Sequence, residues 1–177
     1  MTKNQRTAVT NFMCDRISAV ELSQSLGFDF QTEHGRVVAL LDDAAVSGVP
    51  EDVECALDVA IAAKLNEDIL VPLLIRLLEI PSHERHEDLA RLLQDFKDER
   101  AIDALHRTTL REHEYLSYDE NFGLARKCTW ALADIGTPAA LEKLQRLASC
   151  DNPTIARYAQ KRIDCWSAER HRKGRNR

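Results

Sequence analysis

The feature that most constrains the fold is an internal repeat. "LARLLQDFKDERAIDALHRTTL", from Leu89, lies over "CTWALADIGTPAALEKLQRLAS", from Cys128, at an offset of 39 without a gap. Leu93 falls on Leu132, Phe96 on Ile135, Ile102 on Leu141 and Leu105 on Leu144. The pattern extends both ways: "ILVPLLIRLL" from Ile69 matches "AIDALHRTTL" at an offset of 32, and "LARKCTWA" from Leu124 matches "IARYAQKR" at an offset of 31. A unit of this length that recurs along a chain cannot bury its apolar face alone. It must stack on its neighbours, which makes the chain a solenoid rather than a compact bundle.

Each unit reads as two helices. Leu124, Cys128, Ala131, Leu132 and Ile135 form one apolar stripe at helical spacing. Leu and Ala dominate the apolar residues, which favours helix over strand. Gly136, Thr137 and Pro138 supply a helix stop, an N-cap and a first-turn proline in succession; Asn152 and Pro153 repeat the start signal. The periodicity predicts helices over about 8–26, 32–47, 51–64, 68–79, 83–97, 99–112, 120–135, 138–149 and 153–167. "SAVE" at Ser18 is a capping box that would split the first of these.

"DERAIDAL", "ALADIGTPAALEKL" and "DNPTIARYAQKRI" resemble HEAT repeats of the short bacterial type found in phycobilin lyases. The resemblance covers residues 51–167 and implies an all-α, right-handed solenoid of about four stacked antiparallel helix pairs with a binding role. Residues 1–50 then form a divergent helical cap, and 168–177 a basic, disordered tail. Glu120 with Arg126 and Asp151 with Arg157 are similar in spacing to the acid-to-Arg ladder of such repeats. The ladder predicts that Arg157 reaches Asp134 or Glu120 on the preceding unit. Resemblance at this level does not carry lyase chemistry with it.

The repeat also measures loops. The hairpin from Ile102 to Arg126 is about seven residues longer than its neighbours, and the surplus lies within "EHEYLSYDENF", residues 112–122. Insertions in solenoids collect on one face, often the binding face. Here Tyr115, Tyr118 and Phe122 sit among Glu112, Glu114, Asp119 and Glu120. Either the aromatics fold back to cap the hairpin, or they form a contact loop whose acids select a basic surface. Trp130 aligns with Arg91 and Lys161, so it belongs on the solvent side of its helix, beside Lys127 and Asp134, unless it packs on a neighbouring helix. The expected partner-binding set is Arg91, Glu114, Tyr115, Tyr118, Asp119, Lys127, Trp130 and Asp134.

Charge and composition narrow the function. The net charge of −5 includes five cations in the last eight residues, "RHRKGRNR", so the rest of the chain stands at −10. An acidic body disfavours nucleic acid and suits a basic protein partner. No apolar run approaches the roughly 18 residues of a membrane span, and the N-terminus lacks an apolar signal core. The five cysteines form no C-x-x-C pair and read as buried reduced thiols of a cytoplasmic protein. His83 and His86 in "HERHED" have a possible metal spacing but no third ligand, and read instead as a solvated helix start. No nucleophile elbow, phosphate loop or dinucleotide fingerprint occurs.

The expected function is therefore non-enzymatic protein binding by a monomer, without cofactor or metal, through the second-helix face and the 112–122 loop. Three alternatives differ in partner: an immunity protein against a basic toxin domain, a nucleic-acid binder using the cations of the second helices, and a chaperone or lyase for a cofactor-carrying protein.

Overall fold

The computed structural model describes residues 1–120 and 122–167; the tail at 168–177 lies outside the described residues. Among these, every regular element is helical: α1 (Lys3–Met13), α2 (Ala19–Leu26), α3 (His34–Ser47), α4 (Pro50–Ala62), α5 (Glu67–Leu78), α6 (His86–Phe96), α7 (Ile102–Leu110), α8 (Gly123–Ile135), α9 (Pro138–Ala148) and α10 (Pro153–Asp164). Short 3-10 turns occupy Glu99–Ala101 and Glu114–Leu116. The chain divides into two compact units. The first holds Met1–Leu73 and Ser82–Arg85; the second holds Leu74–Pro81 and the chain from His86 onward. The boundary expected at residue 50 thus falls inside the first unit.

Capping chemistry decides where the helices start and stop. The expected first helix is two: α1 begins at a Thr2–Gln5 capping box, and α2 at the Ser18–Glu21 box. The chain leaves α2 through Gly27 and α8 through Gly136, both left-handed at φ 78° and 74°, where a side chain would be strained. Thr137 caps α9 and Asn152 caps α10, each followed by proline.

In the first unit α1 packs on α2 and α4, and α3 on α4. Phe12 meets the fully buried Phe30 edge to face at 5.7 Å. The buried Asp52 carboxylate accepts from the Met1 ammonium at 2.8 Å and from Arg6 Nη1 at 2.7 Å.

The second unit is layered. α6 packs on α8 and α8 on α10, forming one layer; α7 packs on α9, forming the other; α7–α8, α8–α9 and α9–α10 contacts join the two. Leu93, Leu105, Leu132 and Leu144 are 0% exposed, so the leucines equated by the 39-residue offset are both core pairs. Ile102 and Ile135 are buried too. Phe96 and Leu141, expected in the core, are only half-buried, because each lies at the edge of its helix's apolar stripe near a terminus.

The Arg ladder is not present. Arg157 is exposed, its guanidinium lies over the ring of its own neighbour Tyr158 at 5.4 Å, and it makes no ion pair among the described residues. Arg126 is exposed and unpaired as well. Other residues link the repeats. Lys127 pairs with Glu87 at 2.7 Å and Gln94 donates to Asp134 at 2.8 Å, both between α6 and α8. Lys143 pairs with Asp103 at 2.7 Å between α7 and α9. Each link joins a residue to the position one past its repeat equivalent, 40 residues on. Two links in the same register near opposite ends of α6 and α8 show that these helices run parallel.

Removing the Leu132 side chain leaves a cavity between layers, and Leu132→Ala is expected to cost about 2–5 kcal/mol in chemical denaturation. Leu141→Ala, at a half-buried position, should cost clearly less; equal costs would place the repeat register elsewhere.

Asp52 generates a pH prediction. Burial pushes its carboxyl up, but hydrogen bonds from the Met1 ammonium and Arg6 outweigh burial and hold it below the usual range. Its contribution to stability is present above the unfolded value of about 3.9 and is lost as pH falls through the lower folded value. Asp52→Asn should flatten the fall of melting temperature with pH in that acid window, while leaving wild-type Asp52 the steeper profile.

Candidate protein-binding face

The inserted loop divides in two. Its first half is fastened inward. His86 is fully buried at the start of α6, and its Nε2 lies 2.9 Å from the Ile80 carbonyl. A carbonyl only accepts, so Nε2 carries the proton. With the ring neutral, Nδ1 then accepts from the Tyr115 hydroxyl at 3.0 Å. The His113 ring packs against His86 with centroids 4.0 Å apart, and Tyr115 stacks on His86 at 5.7 Å. Tyr115 is therefore half-buried and committed to this cluster, not free on a rim.

The expectation of a solvated "HERHED" is overturned by the same geometry. His83 is 2% exposed and takes the Arg85 amide on Nδ1 at 3.1 Å, and α6 begins only at His86. Sequence reasoning missed the cluster because its members are 27 and 29 residues apart and share no helical face. His113, the second residue of the inserted stretch, carries no pattern of its own.

Asp119 is the second fastening. Its Oδ2 accepts the Gly123 amide at the start of α8, where a carboxylate favours the helix dipole. Glu87 of α6 reaches the same point: a Cβ on Gly123 would lie 2.9 Å from both Glu87 Oε1 and Asp119 Oδ2. Phe122 supplies no cap and holds a left-handed φ of 52°. The loop is thus clipped to α6 through His86 and to α8 through Asp119.

What remains outside is a set of side chains from both halves. Tyr118 is 80% exposed, and Glu112, Glu114 and Glu120 are exposed in the same loop. On α8 the solvent stripe runs Arg126, Lys127, Trp130 and Asp134. Trp130 is 37% exposed; its buried side lies on the Arg162 guanidinium of α10, 3.7 Å from the ring centroid, and Arg162 is itself 4% exposed. Both sequence readings of Trp130 hold at once: one face is packed on a neighbouring helix and one edge meets solvent. A cation–π contact this desolvated is worth about 2 kcal/mol. It also obeys the register of the other links, since Arg162 lies one past Lys161, the equivalent of Trp130.

The remaining expected residues flank this stripe. Arg91 is exposed on α6 and lies 3.7 Å from Asp95, an ion pair too open and wet to contribute much. Lys127 and Asp134 are spent on Glu87 and Gln94. Glu114 is exposed. The structure therefore leaves Tyr118, Glu114, Arg91 and the edge of Trp130 accessible, and engages Tyr115, Asp119, Lys127 and Asp134 internally.

Among the described residues no group of three or more His, Cys, Asp or Glu is placed to hold a metal, and no helix is long and apolar enough to cross a membrane. Of the five cysteines, all are free thiols; Cys55 and Cys128 are buried as expected, whereas Cys14 is exposed because it follows the last turn of α1. Burial pushes the Cys128 thiol up to about 12.

This two-layered alternation of helices defines a helical-repeat protein. The family described as the PBS lyase HEAT-like repeat matches residues 124–150, the α8–α9 segment that carries Trp130. No curated protein and no solved structure matches the chain.

Two outcomes check this geometry. At mildly alkaline pH a thiol reagent should modify Cys14 rapidly and leave Cys128 unreacted until the protein is unfolded. Tyr115→Phe removes one hydrogen bond to a buried ring and should cost about 1 kcal/mol in denaturant titrations, without changing the surface that Tyr118 presents.

Proposed function

We propose that the chain is a non-enzymatic protein-interaction module acting in the cytoplasm. Its binding surface is the α6–α8–α10 face of the second unit with the outer half of the 112–120 loop. The observation that carries this reading is the exposure of three aromatics, Tyr118 and Phe122 on the loop and Trp130 on α8, in a unit whose other large apolar side chains, Leu110 apart, are mostly buried. Tyrosine and tryptophan are enriched where binding energy concentrates, since they bring large amphipathic area at low entropic cost. Fastening by His86–Tyr115 and Asp119–Gly123 supports the reading further. A loop held at two points presents Tyr118 with less ordering cost on binding than a free one.

The partner is another protein that offers a basic surface to Glu112, Glu114 and Glu120. Charge complementarity of this kind selects the partner and speeds encounter more than it adds affinity.

A photo-crosslinking amino acid placed at position 118 in cells should trap that partner. Tyr118→Ala and Trp130→Ala should each weaken its binding by about 2 kcal/mol, roughly thirtyfold, with helical content intact. Unchanged affinity in both folded variants would place the interface elsewhere.

A further inference from the structure

The face around Trp130 contains cations without counter-ions. Arg126 on α8 and Arg157 on α10 are repeat equivalents, as are Trp130 and Lys161, and the two helices pack side by side. Within each helix the two positions are four residues apart, about 6 Å along the axis. Packed helix axes lie about 8–10 Å apart. Arg126 therefore lies one turn before Trp130 on α8, and Arg157 and Lys161 take the equivalent positions on the neighbouring α10. All three cations are exposed and, among the described residues, none is ion-paired. The opposite layer differs: Lys143, Arg146 and Arg107 are paired with Asp103, Glu142 and Glu79.

The complementary surface is on the same chain. Among the described residues Glu112, Glu114 and Glu120 are exposed without ion pairs, in the same loop as the 80%-exposed Tyr118. This loop leads directly into the cationic stripe, since the Arg126 amide already bonds the Phe122 carbonyl at 3.0 Å. Adjacent acidic and basic patches on one surface are self-complementary about a two-fold axis: each copy's acids face the other's cations, and the contact closes at two.

We infer that the Arg126–Trp130–Arg157–Lys161 stripe receives the 112–120 loop of a second copy of this chain, forming an isologous dimer in which Tyr118 of one copy meets the Trp130 edge of the other. The inference names the partner of the surface proposed above and rests on that reading. A second copy satisfies both patches at once. A nucleic acid would neutralise the cations but bring phosphates against Glu112, Glu114, Glu120 and a body at −10. A basic foreign protein would match the glutamates and leave the stripe unanswered.

Sedimentation of the purified full chain over a concentration series tests this. The wild type should form a dimer at low ionic strength that weakens as salt is raised. The loop variant Glu114→Lys/Glu120→Lys and the stripe variant Arg157→Glu/Lys161→Glu should each dimerise at least about tenfold more weakly, with unchanged circular dichroism. Mixed together they should associate again, because the reversed loop of one meets the reversed stripe of the other and the unreversed patches match as before. A monomer at low salt, reversal variants that dimerise like the wild type, a mixture that fails to associate, or growth beyond two copies would each overturn the dimer. So would duplex DNA bound by the wild-type monomer and lost in the stripe variant. A monomer whose position 118 crosslinks to a foreign protein sinks the self-association alone; a monomer with no crosslink at all sinks the interaction reading with it.

Discussion

The second unit depends on one packing constraint: each helix must bury its leucine stripe against the helices stacked beside it. Leu93 and Leu132 do this in one layer, Leu105 and Leu144 in the other, all fully buried. The polar links follow from that register and do not create it. Glu87–Lys127, Gln94–Asp134 and Asp103–Lys143 lie at partly exposed positions, where such contacts add at most about 1 kcal/mol each. Their shared displacement, one past the repeat equivalent, reflects how two parallel helices lean when their leucines interlock. The Trp130–Arg162 contact has the same displacement but is far drier.

The insertion between α7 and α8 shows how a loop is both tied and offered. Lengthening a connection costs only tenths of a kcal/mol in closure entropy, so stability alone does not oppose it. Its inner residues join it to the core: Tyr115 and His113 close over His86, and Asp119 takes the first amide of α8. Its outer residues then occupy a defined place. Tyr118 is exposed because the residues on either side of it are fastened, not because the segment is loose.

Charge is distributed by face more than by total. The body is acidic overall, yet the α8–α10 face carries three cations without acid partners while the glutamates beside it also lack partners. An exposed charge left unpaired beside its opposite is available for an intermolecular contact at little desolvation cost. That arrangement, and not the net charge, is what makes the partner question specific.

The sequence by itself determined the helical class, the repeat period and most of the core, because a leucine that recurs at a fixed offset has only one way to be buried. It also determined the helix ends at Ser18, Gly136–Pro138 and Asn152–Pro153, where capping is local chemistry. It placed Trp130 on the solvent side of α8 by comparing it with Arg91 and Lys161. The tertiary structure alone decided the rest. Arg126 and Arg157 have the spacing of a ladder but no acid within reach, since the side chains that meet between helices are those at the displaced register. His83 and His86 look solvated in an acid-rich segment, yet the chain folds over both. Tyr115 and Tyr118 are three residues apart in one polar loop. Only the position of a distant histidine on α6 separates the tyrosine that is bound inside from the one left for a partner.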